Sequence, residues 1–201
     1  MAAALNRDTR IDLLRHGEPV GGSRYRGQVD DALSEKGWRQ MWQAVAGRSD
    51  WQQIITSPLQ RCQAFADRLG EQHGLPVHSE PRFSEVGFGV WEGKTRVELE
   101  QLFPGQLARF YQDPVNQRPP GAEPLDDFLS RVQNGFDELL ARFAGQTLLI
   151  IAHAGVIRAV MVHALNIPPA AMYRIHVANA GMTRLSTDGE RSFKLFAHGA
   201  G

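Results

Sequence analysis

"TLLIIAHAGVIRAVMVHALN", residues 147–166, decides the fold. The run "TLLIIA" is short, continuous and apolar, as a buried strand is. The residues after His153 read as a buried helix that ends before Pro168 and Pro169. The same strand-then-helix pairing recurs toward the N-terminus. Residues 10–14 and 52–56 ("QQIIT") read as strands, and a helical pattern follows each. From Ser34, one helical face carries Trp38, Met41, Trp42 and Val45. From Ser57, another carries Leu59, Cys62, Phe65, Ala66 and Leu69. Residues 125–143 space Leu125, Phe128, Leu129, Val132, Phe136, Leu139, Leu140 and Phe143 at helical intervals. The tail from Tyr173 reads as two or three strands with a turn at Asp188-Gly189. Strands alternating with helices predict an α/β fold. The expected form is a three-layer sandwich, with a mainly parallel central sheet, helices on both faces and an antiparallel edge. Residues 84–124 are irregular and include the Pro/Gly-rich "DPVNQRPPGAEP". Long loops in compact domains are often functional, so this segment is expected to cap one end of the sheet within a single domain spanning 1–201.

The chain has 201 residues, enough for a sizeable core, and its formal net charge is zero. No global field calls for nucleic acid or an anionic membrane, so any anion site must be a local cluster. Of the 22 basic residues, only Lys36, Lys94 and Lys194 are lysine. Arginine suits bidentate contacts to phosphate, although a composition-biased genome gives the same count. A single cysteine, Cys62, excludes an internal disulfide and fits a reducing compartment. "MAAALNRDTR" holds no apolar stretch long enough for a signal peptide, and no run approaches a membrane span. The expected location is the cytoplasm. A homodimer through the edge hairpin is compatible with this reading.

In open α/β sheets, ligands bind beyond the carboxyl ends of the strands. Three such ends carry polar groups: Arg15-His16-Gly17, then Ser57-Pro58 followed by Arg61, then His153-Ala154-Gly155. Ser57 suits a helix cap and Pro58 the first helical position. Arg61, about one turn into that helix, can lean back toward the strand ends. Parallel strands would bring two arginines, two histidines and the amides of two helix N-termini to one edge, which suits a phosphate.

"LLRHGE", "SPLQR", "FSEVGFGVWEG" and "IIAHAGVIR", in this order between residues 13 and 158, resemble the signatures of the histidine phosphatase superfamily, the phosphoglycerate mutase-like proteins. "GGSRYRG" and the short length look most like its small bacterial phosphatases, the alpha-ribazole phosphatases of cobalamin synthesis first among them. The resemblance implies that His16 is a nucleophile that becomes phosphorylated, with Arg15, Arg61 and His153 holding the phosphoryl oxygens. A neutral imidazole attacks well near pH 7, and neighbouring arginines favour that neutral form. Gly17 is expected to let the chain turn and to leave the phosphate room. Glu85 matches the family's acid/base position, where it would protonate the leaving alkoxide and later take a proton from water. Glu92 in "WEG" is a weaker competitor, and Phe88 and Trp91 are expected to wall the loop. Arg24 and Gln28 are the candidates for further substrate contacts.

Rival chemistries fit the sequence less well. Cys62 to Arg68 has the C-x5-R spacing of cysteine phosphatases, but its helical pattern occupies the amides that such chemistry needs, so Cys62 reads as core. No Walker-type loop is present. No tight metal-ligand spacing is present either, so neither cofactor nor metal is expected. His73, His78, His163, His176 and His198 read as surface or core residues. Within the family, a mutase is the main alternative, disfavoured by the short spacing between Glu85 and His153. A broad-specificity sugar phosphate phosphatase is another alternative. A non-catalytic phosphate-binding protein would be expected to lack His16 or Glu85. The expected partner is a small-molecule phosphate monoester.

Overall fold

A computed structural model describes residues 8–189 and 192–199. The six strands are β1 (Thr9–Arg15), β2 (Gln53–Thr56), β3 (Val77–Ser79), β4 (Thr147–Ala152), β5 (Met182–Thr187) and β6 (Phe193–Gly199). They form one sheet in the order β3-β2-β4-β1-β5-β6. β3, β2, β4 and β1 run parallel, while β5 and β6 are antiparallel additions beside β1. Each of the three strands read from the N-terminal and central sequence is present. The three-residue β3 was not anticipated. The tail supplies two strands, and Gly189 holds the positive φ of +89° that a turn favours. The rest of that turn, residues 190 and 191, and the N-terminal residues 1–7 lie outside the described residues.

The helices are α1 (Glu35–Val45), α2 (Gln60–His73), α3 (Arg96–Leu102), α4 (Gln106–Gln112), α5 (Leu125–Arg142) and α6 (Ala154–Ala164). Side chains alternate across each strand, which sorts the core into two layers. Leu148 and Ile150 of β4, with Ile11 and Leu13 of β1, pack with Phe128, Val132 and Phe136 of α5 and with Val156 and Val160 of α6. Leu149 and Ile151, with Leu14 and Ile54, pack with Met41 of α1 and with Phe65 and Leu69 of α2. β4 is therefore buried on both faces, which is why its sequence shows no polar alternation. This is the expected three-layer sandwich.

The 84–124 segment is more ordered than expected, because it contains α3 and α4. Thr95 caps α3 in a reciprocal capping box with Glu98. Trp91, Leu99, Leu107 and Phe110 anchor the segment to the α5/α6 layer. Among the described residues, no helix is long and apolar enough to cross a membrane.

Candidate active site

The parallel register brings three strand ends together. Arg15 of β1 pairs with Ala152 of β4, and Thr56 of β2 pairs with Ile151. The ladder runs on past the strands. The His16 amide donates to the Ala152 carbonyl and the Ser57 amide to that of Ile151, each at 3.0 Å. His16, Ser57 and His153 consequently stand side by side. The two imidazole rings meet edge to face, 5.2 Å apart at 62°. Gly17 has a different purpose from the expected one. A Cβ there would lie 2.2 Å from the Gly37 carbonyl oxygen, so glycine admits the backbone of α1 and does not clear space for phosphate.

His16 is 5% exposed. Its Nδ1 lies 2.7 Å from the Gly17 carbonyl. A carbonyl can only accept, so Nδ1 carries the proton and Nε2 keeps its lone pair. Burial first, then the charges of Arg15 and Arg61, push the His16 pKa well below the usual 6.5, so the ring is neutral at pH 7. His153 is fully buried and shifted the same way, by burial and then by Arg61. The Arg61 Nε–H donates to His153 Nδ1 at 3.3 Å. His153 Nε2 therefore holds the proton and donates to Ser57 Oγ at 2.7 Å. Both nitrogens of His153 are engaged, and the ring backs His16 and Arg61 without lining the cleft. Holding a phosphoryl oxygen would require one nitrogen to be released from Ser57 or Arg61.

Arg61 is 1% exposed, in the first turn of α2. Its terminal nitrogens donate to Val29 O at 2.7 Å and Gly27 O at 3.0 Å, which fixes the guanidinium. Arg15 donates from Nη1 to Val177 O at 2.7 Å and keeps a buried Nε–H with no partner among the described residues. Burial lowers the Arg15 pKa to about 10, so the group stays charged but poorly solvated. An anion beside it would relieve both deficits.

The helix N-termini depart from expectation. Leu59 occupies the cap position of α2, while Ser57 Oγ accepts from the Leu59 amide and from His153. The first amide of α2, at Gln60, donates to Asp30 Oδ1 at 2.7 Å. In α6 the Gly155 amide donates to Glu85 Oε2 at 3.2 Å. Carboxylates of the chain itself thus occupy amides that the sequence reading offered to phosphate.

Glu85 also accepts from the Val86 amide at 2.9 Å and lines the cleft. A clamp the sequence did not reveal holds its backbone. Arg131 of α5 donates to Ser84 O at 2.8 Å and Glu85 O at 3.2 Å, and pairs with Glu123 at 2.6 Å. Gln28 donates its side-chain amide to Glu85 O at 2.5 Å and faces away from the cleft, so it positions the loop and its expected substrate contact is not in place. Arg24 reaches the rim, donating to Gly21 O and Gly93 O. Glu92 accepts from the amides of Gln28 and Phe88, a structural use that separates it from Glu85. Cys62 is fully buried in α2, and burial raises its pKa, as a core thiol requires.

The cleft measures about 420 Å³. Besides Arg15, His16, Arg61 and Glu85, it is lined by Tyr25, Phe88, Arg96, Tyr111, Arg158 and Tyr173. Arg158 and Arg96 were missed, as was His176, which also lines the cleft. Arg158 was legible in principle, one helical turn past Ala154 in "HAGVIR". Among the described residues, no group of three or more His, Cys, Asp or Glu side chains could hold a metal ion.

Residues 11–197 match the family described as Histidine phosphatase superfamily (branch 1). The chain is 34% identical over 194 residues to a bifunctional protein of Mycobacterium tuberculosis, covering 93% of this chain and 53% of that protein. It thus spans about half the length of that relative. The structure of mycobacterial glucosyl-3-phosphoglycerate phosphatase superposes with a TM-score of 0.86 at 30% identity, covering 97% of this chain and 100% of the other. The alpha-ribazole phosphatase of Shigella flexneri shares the fold, with a TM-score of 0.83 at 23% identity and 96% coverage of each chain.

Proposed function

This chain belongs to the histidine phosphatase superfamily, and we propose that it is a phosphoric monoester hydrolase acting through a phosphohistidine at His16. The observation that carries the proposal is the state of His16. Its Nδ1–H is fixed on Gly17 O, and burial and two arginines keep the ring neutral, which leaves Nε2 as the nucleophile. Nε2 attacks phosphorus while the ester oxygen leaves and takes a proton from Glu85. Water, deprotonated by Glu85, then attacks the phosphohistidine and releases inorganic phosphate with His16 restored. Arg15 and Arg61 stabilise the charge on the transferring oxygens without having to move.

The substrate is a small phosphate monoester. A glycosylated phosphoglycerate is favoured by the relatives at 30% identity and above, whose names include glucosyl-3-phosphoglycerate phosphatase. Alpha-ribazole 5'-phosphate is the second reading, supported by the likeness of fold alone. The test is phosphate release from both esters in the presence of EDTA. Activity should persist with chelator and vanish in His16→Ala. The trapped phosphoenzyme should be acid-labile, as a phosphoramidate is. An acid-stable adduct, or full activity in His16→Ala, would exclude the mechanism.

A further inference from the structure

Residues 175–181, which lead into β5, hold the end of β1 from several sides. The Ala180 amide donates to His16 O at 3.2 Å, and the Arg15 amide donates to Gly181 O at 3.1 Å. Ala180 has a φ of +53°, uncommon for a residue with a Cβ, so the turn that grips His16 is kept by its surroundings and not by its own preference. Just before it, three successive carbonyls are taken by side chains from three different elements. Ile175 O accepts from Arg158 of α6 at 2.9 Å, His176 O from His198 Nε2 of β6 at 2.6 Å, and Val177 O from Arg15 Nη1 at 2.7 Å. Among the described residues, Val177 O is the hydrogen-bond acceptor that fixes the Arg15 guanidinium. Arg15 and Arg158 line the cleft, whereas His198 reaches in from the outermost strand of the sheet.

A carbonyl only accepts, so His198 Nε2 carries the proton, and Nδ1 of the neutral ring accepts from Thr183 Oγ1 at 2.7 Å. Thr183 is buried in β5, directly opposite His198 in the β5/β6 ladder, so strand register sets the pair. A histidine on an exposed strand ordinarily leaves its nitrogens to water. Here the protein takes both, one to fix the ring and one to hold the 175–181 segment. We propose that His198 is a positioning residue of the active site. By holding the His176 carbonyl it fixes this segment, and through the neighbouring Val177 carbonyl it aims the Arg15 guanidinium at the phosphoryl group. The inference rests on the phosphatase reading and adds to it a residue that stands outside the cleft and acts through another.

Two substitutions separate this bond from the rest of the side chain. Glutamine places an amide N–H near the position of Nε2, and asparagine near that of Nδ1. His198→Gln therefore keeps a donor for His176 O, while His198→Asn keeps only the contact with Thr183. The full chain and both variants are titrated with inorganic phosphate by calorimetry and assayed with p-nitrophenyl phosphate. His198→Asn should weaken phosphate binding and lower kcat/KM by about 3- to 10-fold, the scale of one hydrogen bond, and His198→Gln should stay near native. A merely structural role would lower the melting temperature and leave the phosphate affinity of the folded protein unchanged. Native phosphate affinity in a folded His198→Asn, or equal losses in the two variants, overturns the positioning role. Nitrogen NMR of the native chain supplies a measurement that needs no variant: the His198 ring should carry its proton on Nε2, and a ring protonated on Nδ1 alone overturns the assignment. If the native chain neither binds phosphate nor hydrolyses p-nitrophenyl phosphate, the phosphatase reading falls and this inference with it. Hydrolysis by the native chain with an unaffected His198→Asn brings down the inference alone.

Discussion

Gly155→Ala should separate Glu85, the proposed acid/base group, from the rest of the site without disturbing the fold. Gly155 is helical, at the start of α6, and a Cβ built there would sit 2.2 Å from Glu85 Oε1. Ordinary contact begins at 3.4 Å, so the oxygen must retreat by about 1.2 Å. The obstructing atom is the end of a flexible side chain, and the next contact, Val86 Cγ1 at 3.2 Å, yields with a small shift. Alanine is also the better helix former by up to about 1 kcal/mol. The melting temperature should therefore hold or rise. The catalytic cost is different, because a misplacement of about 1 Å in a reacting group is worth about 10²-fold in rate. Turnover of an alkyl phosphate, whose alkoxide needs a proton, should fall by about that factor. With p-nitrophenyl phosphate the phenolate leaves unaided. Stopped-flow absorbance should then show a burst near native rate, one product per site, followed by a slowed steady state as water waits for its base. Native turnover of the alkyl ester in a stably folded Gly155→Ala would refute this account, and so would a burst slowed as much as the steady state.

Both buried imidazoles make stability depend on pH. His16 and His153 stay neutral in the fold, whereas in the unfolded chain they protonate near 6.5. The unfolded chain binds more protons below that pH, so stability is complete above 6.5 and falls as the pH drops toward the folded values. The slope is about 1.4 kcal/mol per pH unit for each ring, and urea midpoints at pH 7, 6 and 5 should show it; a flat profile from 6.5 to 5 contradicts the assignment. Ser57→Ala removes the acceptor of the His153 Nε2 proton at 2.7 Å and should destabilise by about 1–3 kcal/mol, measured by urea unfolding, with a fall in kcat. Stability unchanged within error would mean that the ring finds another acceptor. Arg131→Met frees the backbone of Ser84 and Glu85 and takes the ion-pair partner from Glu123, which keeps its bond from the Gly87 amide. It should lower alkyl phosphate turnover more than the p-nitrophenolate burst, and Arg131→Lys should restore charge without restoring the fork. Equal loss in both assays would assign Arg131 a general structural role.

The sheet and its long helices were legible because each reports burial in a simple period. β4 is apolar throughout because it is covered on both faces, and α5 shows its core positions at helical spacing. The short pieces were less legible. β3 has three residues, too few for any period, and α3 and α4 lie in a segment that reads as loop when Pro and Gly are counted. The capping box at Thr95 and Glu98 was a readable signal there. His16, Arg15, Arg61 and Glu85 line one cleft because strand ends in parallel register converge, which sequence order predicts. What the order of elements cannot predict is which hydrogen bonds are already made. Gln28 turns to a carbonyl, and both helix N-termini are filled by Asp30 and Glu85.

That last difference bears on how the site works. Had the helix amides faced the phosphate, they would have supplied oriented dipoles that are fixed and neutral overall. With those amides taken by carboxylates, charge stabilisation falls to arginines. Arg61 is held rigid by two carbonyls and His153, and Arg15 is left under-solvated at the cleft. The same two cations then act twice. Before substrate arrives they add to the desolvation that keeps His16 deprotonated. Once phosphate binds, its charge offsets theirs, and the field that opposed protonation of His16 weakens as the ring begins to share its lone pair with phosphorus. Charge-neutral replacement of Arg15 should accordingly harm the site in two separable ways: a loss of phosphate affinity, and an upward shift of the His16 pKa in the free protein. An imidazole titration by NMR that left His16 unmoved in Arg15→Gln would show that burial alone holds the proposed nucleophile neutral, and would reduce the arginine to a proposed phosphate ligand.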